Sequence, residues 1–199
     1  VARWAGLPGS VPVELMVADV LQRPMIWRWG GAPQWLSHQA AWWACVLGVG
    51  WVRPSAMAMF VAVHLWFERR ALRQELLMLV WAVGVGLATD ATLAATGSVT
   101  YFGGMRLAGV PLWMISLWAG FGATALHSQF ALLRTRGLAT AVGAFGGPAA
   151  YLGGERLGCM EIHGLEGALA VGAVWSIALG LLSERARALL EQRDEKELS

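Results

Sequence analysis

The chain has 199 residues, 57% hydrophobic and 14% charged, with a formal net charge of +2 and a mean hydropathy of +0.53. So few charges cannot cover the surface of a soluble domain of this size, so the composition points to a membrane protein. No basic run occurs, which argues against a nucleic-acid partner, and two Cys give neither a disulfide framework nor a metal-binding spacing.

Residues 1–34 are interrupted by Pro8, Pro12, Pro24 and Pro33. Their one apolar run, VPVELMVADVL, carries Glu14 and Asp19, so it is neither a span nor a signal-peptide core. The segment reads as a loosely attached extension, or as a short interfacial helix with Trp27, Arg28 and Trp29 at the headgroups.

Six apolar spans follow, at 35–51, 54–67, 76–97, 112–133, 138–153 and 165–183. A membrane-crossing helix needs about 20 apolar residues, within a range near 17–25. The third, fourth and sixth spans meet that length, and the first and fifth are short. The second is the weakest, with Pro54 suited to opening a helix in a hairpin with the first. Four or five spans are the alternative. The tail at 184–199, ERARALLEQRDEKELS, continues the last helix as a cytoplasmic tail.

Charge tests the count. With six alternating spans, the extension, the loops at 68–75 and 134–137 and the tail share one side and hold twelve Lys and Arg. Arg53, Arg106 and Arg156 fall on the other. Positive charge stays cytoplasmic, which places both termini there. The expected fold is therefore all-α: a polytopic transmembrane bundle at 35–183.

Asp90 is a carboxylate inside the third span, in GLATDATLAATG (86–97). At about 1.5 Å rise per residue it lies roughly 21 Å from the cytoplasmic edge, in the outer third of a core about 30 Å thick. Trp118 and Ser116 on the fourth span and Pro148 and Tyr151 on the fifth reach similar depth, and Trp118 and Tyr151 carry donors that Asp90 could accept. An intramembrane carboxylate faces the protein interior, where it marks function or ties helices together.

His38, His64 and His127 all fall within roughly 10 Å of the cytoplasmic edge. That separates His127 from Asp90 and argues against an acid–base pair. Three His on three helices could hold a metal. They lack H-x-x-x-H spacing and nearby paired carboxylates, so no metal and no cofactor is expected.

In GAFGGPAAYLGGERLG (143–158), Gly143 and Gly147 form a small-residue packing face. Pro148 frees a backbone carbonyl that must be buried or line a cavity. Glu155 and Arg156 read as an exposed ion pair beyond the helix, and Cys159, Glu161, His163 and Glu166 as solvated loop residues. Ser128 and Gln129 read as helix contacts or interfacial groups.

Several motifs together resemble a known family: WWACVLG (42–48), Asp90 with Leu93, PLW (111–113), LWAGF (117–121) and GPAAYLGGERLG (147–158). In order and spacing they are similar to a family of small bacterial inner-membrane proteins classed as domain of unknown function 2878. The resemblance covers about 35–183, and the extension departs from it. It implies a multi-pass inner-membrane protein with no assigned activity, associated with genes for membrane fatty-acid modification. Two functions are open. One is a non-enzymatic carrier or scaffold whose partners are membrane lipids or lipid-modifying membrane enzymes. The other is an intramembrane enzyme acting on lipid chains or headgroups through Asp90 or a His-bound metal. The candidate residues are Asp90, Trp118, Pro148 and Tyr151.

Overall fold

The computed structural model describes residues 31–198; the expectations for 1–30, including the interfacial helix at Trp27–Trp29, lie outside the described residues. Among the described residues seven α-helices run α1 (Ala32–Leu47), α2 (Val52–Phe67), α3 (Leu72–Ala95), α4 (Leu112–Ala125), α5 (Phe130–Leu133), α6 (Arg136–Arg156) and α7 (Gly164–Leu198). Each expected span contains a helix. Neighbouring long helices run in opposite directions between two ends of the bundle. One end holds four short strands. The other, the glutamate end, gathers Gln34, His64, Glu75, His127 and Arg193. The described part of α1 begins at the glutamate end, and the charged tail of α7 lies there.

Helix starts follow local chemistry. Pro33 sits in the first turn of α1, where a missing N–H costs nothing. Thr135 caps α6 by accepting from the Leu138 N–H at 3.3 Å. Two helical stretches, Arg69–Ala95 and Gly164–Arg193, are long and apolar enough to cross a membrane, whereas α2 and α4 are apolar but shorter.

The fourth span is shorter than the sequence suggested. The helix stops at Ala125 and the chain turns through 126–129, where the N–H groups of His127 and Gln129 both bond to the Thr124 carbonyl. Fourteen residues rise about 21 Å, less than the roughly 30 Å of a hydrocarbon core. Many large apolar side chains point outward, among them Phe145, Trp66, Met59 and Ile177. An apolar exterior on this scale calls for an apolar surrounding.

The strands are an addition to the all-α expectation. β1 (Val99–Tyr101) pairs antiparallel with β4 (Met160–Ile162), and β2 (Arg106–Leu107) with β3 (Val110–Pro111). They fold the loops over one end of the bundle and correct two readings. Cys159 is buried and its thiol donates to the Val46 carbonyl at 3.2 Å, so it is not a solvated loop residue. Glu155 accepts the Ile162 N–H at 2.8 Å, bracing β4. Arg53 is held inside the hinge of α1 and α2, donating to the carbonyls of Gly48 and Val46 and lying over the Trp113 ring.

Pro148 does not break α6. Its ring removes the N–H that would bond to Ala144, four residues back. The Ala144 carbonyl is covered by α7 at Gly172, where a Cβ would come within 2.9 Å of that oxygen. The freed carbonyl is therefore buried in a helix interface and opens no cavity. On the same interface a Cβ at Gly143 would overlap the Trp175 backbone.

Between α3 and α4 the decisive glycine is Gly86, whose added Cβ would fall within the Trp118 ring. Gly86→Ala is therefore expected to push Trp118 aside and lower stability by about 1–3 kcal/mol. A drop in thermal midpoint together with a changed tryptophan near-ultraviolet signal checks this. An unchanged signal would refute the close approach.

Candidate functional site

The interior polar groups fall into two clusters with a cavity beside them. The first is centred on Asp90, which is fully buried. Trp118 of α4 donates its indole N–H to Oδ2 at 2.8 Å. Tyr101 of β1 donates to Oδ1 at 2.9 Å, and Tyr151 of α6 donates to the same oxygen. Four elements are thus joined through one carboxylate. Among the described residues no cation lies within ion-pair distance of it.

The structure brings together three of the four sequence candidates, Asp90, Trp118 and Tyr151. Pro148 stays apart, packed toward Gly172. The neighbouring threonines also stay out of the cluster: Thr92 and Thr96 bond to carbonyls of their own helix.

Tyr101 was missed by sequence reasoning. The signal was there, since the chain has only two tyrosines and this one follows Asp90 by eleven residues. Recognising it required the turn at Gly97, whose φ of +68° lets the chain fold back over its own helix at little cost. Burial, and then the Asp90 carboxylate, push the Tyr101 hydroxyl above its usual range, so it remains a proton donor at neutral pH.

The second cluster lies at the glutamate end. Gln34 Nε2 meets His64 Nδ1 at 3.1 Å, His64 Nε2 meets Glu75 Oε2 at 3.1 Å, and His127 Nε2 meets Glu75 Oε1 at 3.0 Å. Arg193 approaches the same carboxylate at 3.9 Å. This revises the histidine trio. His64 and His127 do converge, but with Glu75, a carboxylate that falls in the expected loop at 68–75. His38 is not a member and instead packs edge-on against Phe60.

The proton positions in this cluster can be deduced. The Ser128 backbone N–H can only donate, and it points at Gln34 Oε1 at 3.1 Å. That fixes the amide, so Nε2 is the donor toward His64 Nδ1. His64 then carries its proton on Nε2 and gives it to Glu75. The nitrogens and carboxylate oxygens of His64, Glu75 and His127 lie within 4.8 Å of one another, as a metal site would require. A metal-bound histidine, however, donates its second N–H to an acceptor, and here His64 Nδ1 faces a donor. The partner of His64 Nδ1 does not fit a metal-bound ring and does fit a hydrogen-bond network centred on the Glu75 carboxylate.

The cavity holds about 410 Å³ and lies between α1, α4, α6 and α7. Trp35, Trp42, Trp113, Trp118, Tyr151 and Trp175 are among its walls. Toward the strands it reaches Val46, Cys159 and Met160, and toward the glutamate end His38, Gln39, Ser128 and Gln129. Asp90 does not line it. Two of its three partners, Trp118 and Tyr151, do, so the carboxylate holds the wall from behind. The volume is within the usual range for small-molecule sites, about 300–1,000 Å³, and so is the mix of aromatic surface with a few polar groups.

In comparison with known proteins, residues 33–181 match the family described as Protein of unknown function (DUF2878). No curated protein and no solved structure matches the chain.

Proposed function

The chain belongs to the DUF2878 family, and from that footing we propose that it is a multi-pass membrane protein that binds a lipid-like molecule in the aromatic cavity, as a carrier or accessory protein without catalysis of its own. The observation that carries this reading is the cavity of about 410 Å³ walled by indole and phenol rings. The membrane setting is supported by the outward-facing apolar side chains and by the two long apolar helices. Six crossings with both termini cytoplasmic is the topology proposed, in keeping with the alternating helices and the twelve-to-three distribution of Lys and Arg. A bacterial inner membrane is the proposed location.

The enzymatic alternative draws less support. Asp90 is fully buried and accepts three hydrogen bonds, so it has no open face toward a substrate. The His64–Glu75–His127 group is likewise closed on itself. Neither offers the reach that a general acid or base needs.

The test is to purify the protein in mild detergent and quantify bound lipid by mass spectrometry, beside a Leu117→Trp variant. Leu117 lines the cavity, and a larger ring there fills it. A bound amphiphile near one per protein in the natural chain, and much less in the variant, is the expected result. Equal lipid in both would place the binding elsewhere, and no lipid above detergent background would refute the reading.

A further inference from the structure

The cavity has a long axis. On α1 its lining residues Trp35, Gln39, Trp42 and Val46 share one face of the helix. From Trp35 to Val46 the helix rises about 16 Å, which is the depth of one leaflet in a hydrocarbon core roughly 30 Å thick. The cleft therefore runs along the helix axes. It also lies open on the flank of the bundle. Among the described residues α1 packs against α2 and α4, and α6 against α5 and α7, while α1 and α6 are not packed on each other. Trp35 on α1 and Ala150 on α6 line the cavity and are exposed at that gap.

The two ends differ in chemistry. Toward the strands the wall is apolar, with Val46, Trp113 and Met160. Toward the glutamate end it carries the amides of Gln39 and Gln129, both part-exposed. An amide donates and accepts, so this end suits an uncharged hydroxyl or carbonyl group. Among the described residues no Asp, Glu, Lys or Arg lines the cavity. Two charged groups behind its wall are engaged elsewhere: Asp90 accepts three hydrogen bonds, and Arg53 donates to the carbonyls of Gly48 and Val46. A charged head taken into this space meets no counter-charge, and burying an unpaired charge is costly. At the roughly 30 Å³ that a water occupies in the liquid, the 410 Å³ of the cavity takes on the order of a dozen heavy atoms, enough for one alkyl chain and not for two.

We propose that the occupant is a single-chain amphiphile with an uncharged head, lying along α1 with its head at the Gln39 and Gln129 end and its chain end at Val46, Trp113 and Met160. This rests on the reading of the cavity as a lipid site and specifies the class and direction of its ligand. A long-chain alcohol meets each requirement. A chain of the same length with an ammonium or sulfonate head fits the space but not its charge, and a two-chain lipid does not fit the space.

The experiment photo-crosslinks the full chain in nanodiscs with dodecanol carrying a diazirine either beside the hydroxyl or at the chain end, and maps the labelled peptides by mass spectrometry. Dodecane, dodecyltrimethylammonium and dodecanesulfonate with a chain-end diazirine serve as comparisons at the same trace level. The hydroxyl-side probe is expected on the peptides of Gln39 and Gln129, and the chain-end probe on those of Trp113 and Met160. Both charged probes are expected to label the cavity peptides about tenfold less than dodecanol or weaker still. Gln39→Leu is expected to weaken dodecanol labelling about fivefold while leaving dodecane unchanged, which also shows that the variant is folded. If the cavity peptides are labelled but the two dodecanol maps coincide or are reversed, the direction of the ligand is refuted. If the charged probes label as well as dodecanol, the uncharged head is refuted. In both cases the lipid site stands. If no probe labels the cavity peptides, the lipid-site reading itself fails.

Discussion

Asp90→Ala is expected to destabilise the protein severely, while Asp90→Asn leaves both fold and cavity intact. The carboxylate accepts from Tyr101, Tyr151 and Trp118 with no access to water. Removing it strands three donors. Each unpaired buried donor costs about 1–3 kcal/mol. The two hydroxyls, 3.4 Å apart, can recover part of this by bonding to each other, but the Trp118 indole cannot. A net loss of about 3 kcal/mol or more is expected, a large share of a typical stability of about 5–15 kcal/mol.

Asparagine fits for a specific reason. With its oxygen at the Oδ2 position it still accepts from Trp118. Its amide group at the Oδ1 position then offers two hydrogens to two tyrosine oxygens that can turn to accept them. The pair of variants separates charge from hydrogen bonding. Thermal unfolding in detergent and bound-lipid content are the measurements. If Asp90→Asn folds normally but loses its lipid, the charge itself acts at the cavity, and the reading of Asp90 as a structural tie is wrong.

Glu75 gives the second large effect. It is 1% exposed and receives the imidazole N–H groups of two histidines, one on α2 and one in the turn after α4. Glu75→Ala leaves His64, whose tautomer Gln34 has fixed, with a donor facing nothing. It also leaves His127 and the nearby Arg193 without their carboxylate. A loss of about 2–4 kcal/mol is expected. Glu75→Gln is milder, near 1 kcal/mol. Its oxygen accepts from His64, and its amide donates to His127 once that ring moves its proton to Nδ1. Nitrogen chemical shifts of the His64 ring test the deduced proton positions: Nε2 should be protonated in the natural chain and also in Gln34→Ala, because the Glu75 carboxylate still accepts from it there. A natural chain protonated on Nδ1 would overturn the assignment, and stabilisation by added zinc would revive the metal reading.

Much of the helical framework was legible without coordinates because apolar run length and proline position act locally. Six apolar runs gave six long helices, with the short α5 split off the fourth run, and Pro54, read as suited to opening a helix, lies in the first turn of α2. The same local logic failed at 126–129, where the run stays apolar yet the chain turns. The competing term there is tertiary: the turn gives the Ser128 N–H to Gln34 and brings His127 to Glu75. Hydropathy does not register such a bond.

The depth ruler worked for Asp90 because helical rise is fixed by backbone geometry and needs no knowledge of neighbours. It placed Trp118 and Tyr151 at the same level, and the hydrogen bonds confirm the meeting. It could not find Tyr101, which arrives from a strand that folds back over the helix end. Glu75 fell in the loop at 68–75 because the apolar run begins only at Leu76, whereas α3 already starts at Leu72. Only the packing of α2, α4 and α7 around it takes it out of water.

The sequence by itself determined the mostly helical class of the protein, the places of its helices and the shared level of Asp90, Trp118 and Tyr151 along them, because run length and helical rise do not depend on which helices become neighbours. The tertiary structure alone decided what those groups face. It set Asp90 behind the cavity wall and closed His64 and His127 on Glu75. Hydrogen-bond partnership is a relation between distant positions at distances near 3 Å, and no local pattern encodes it.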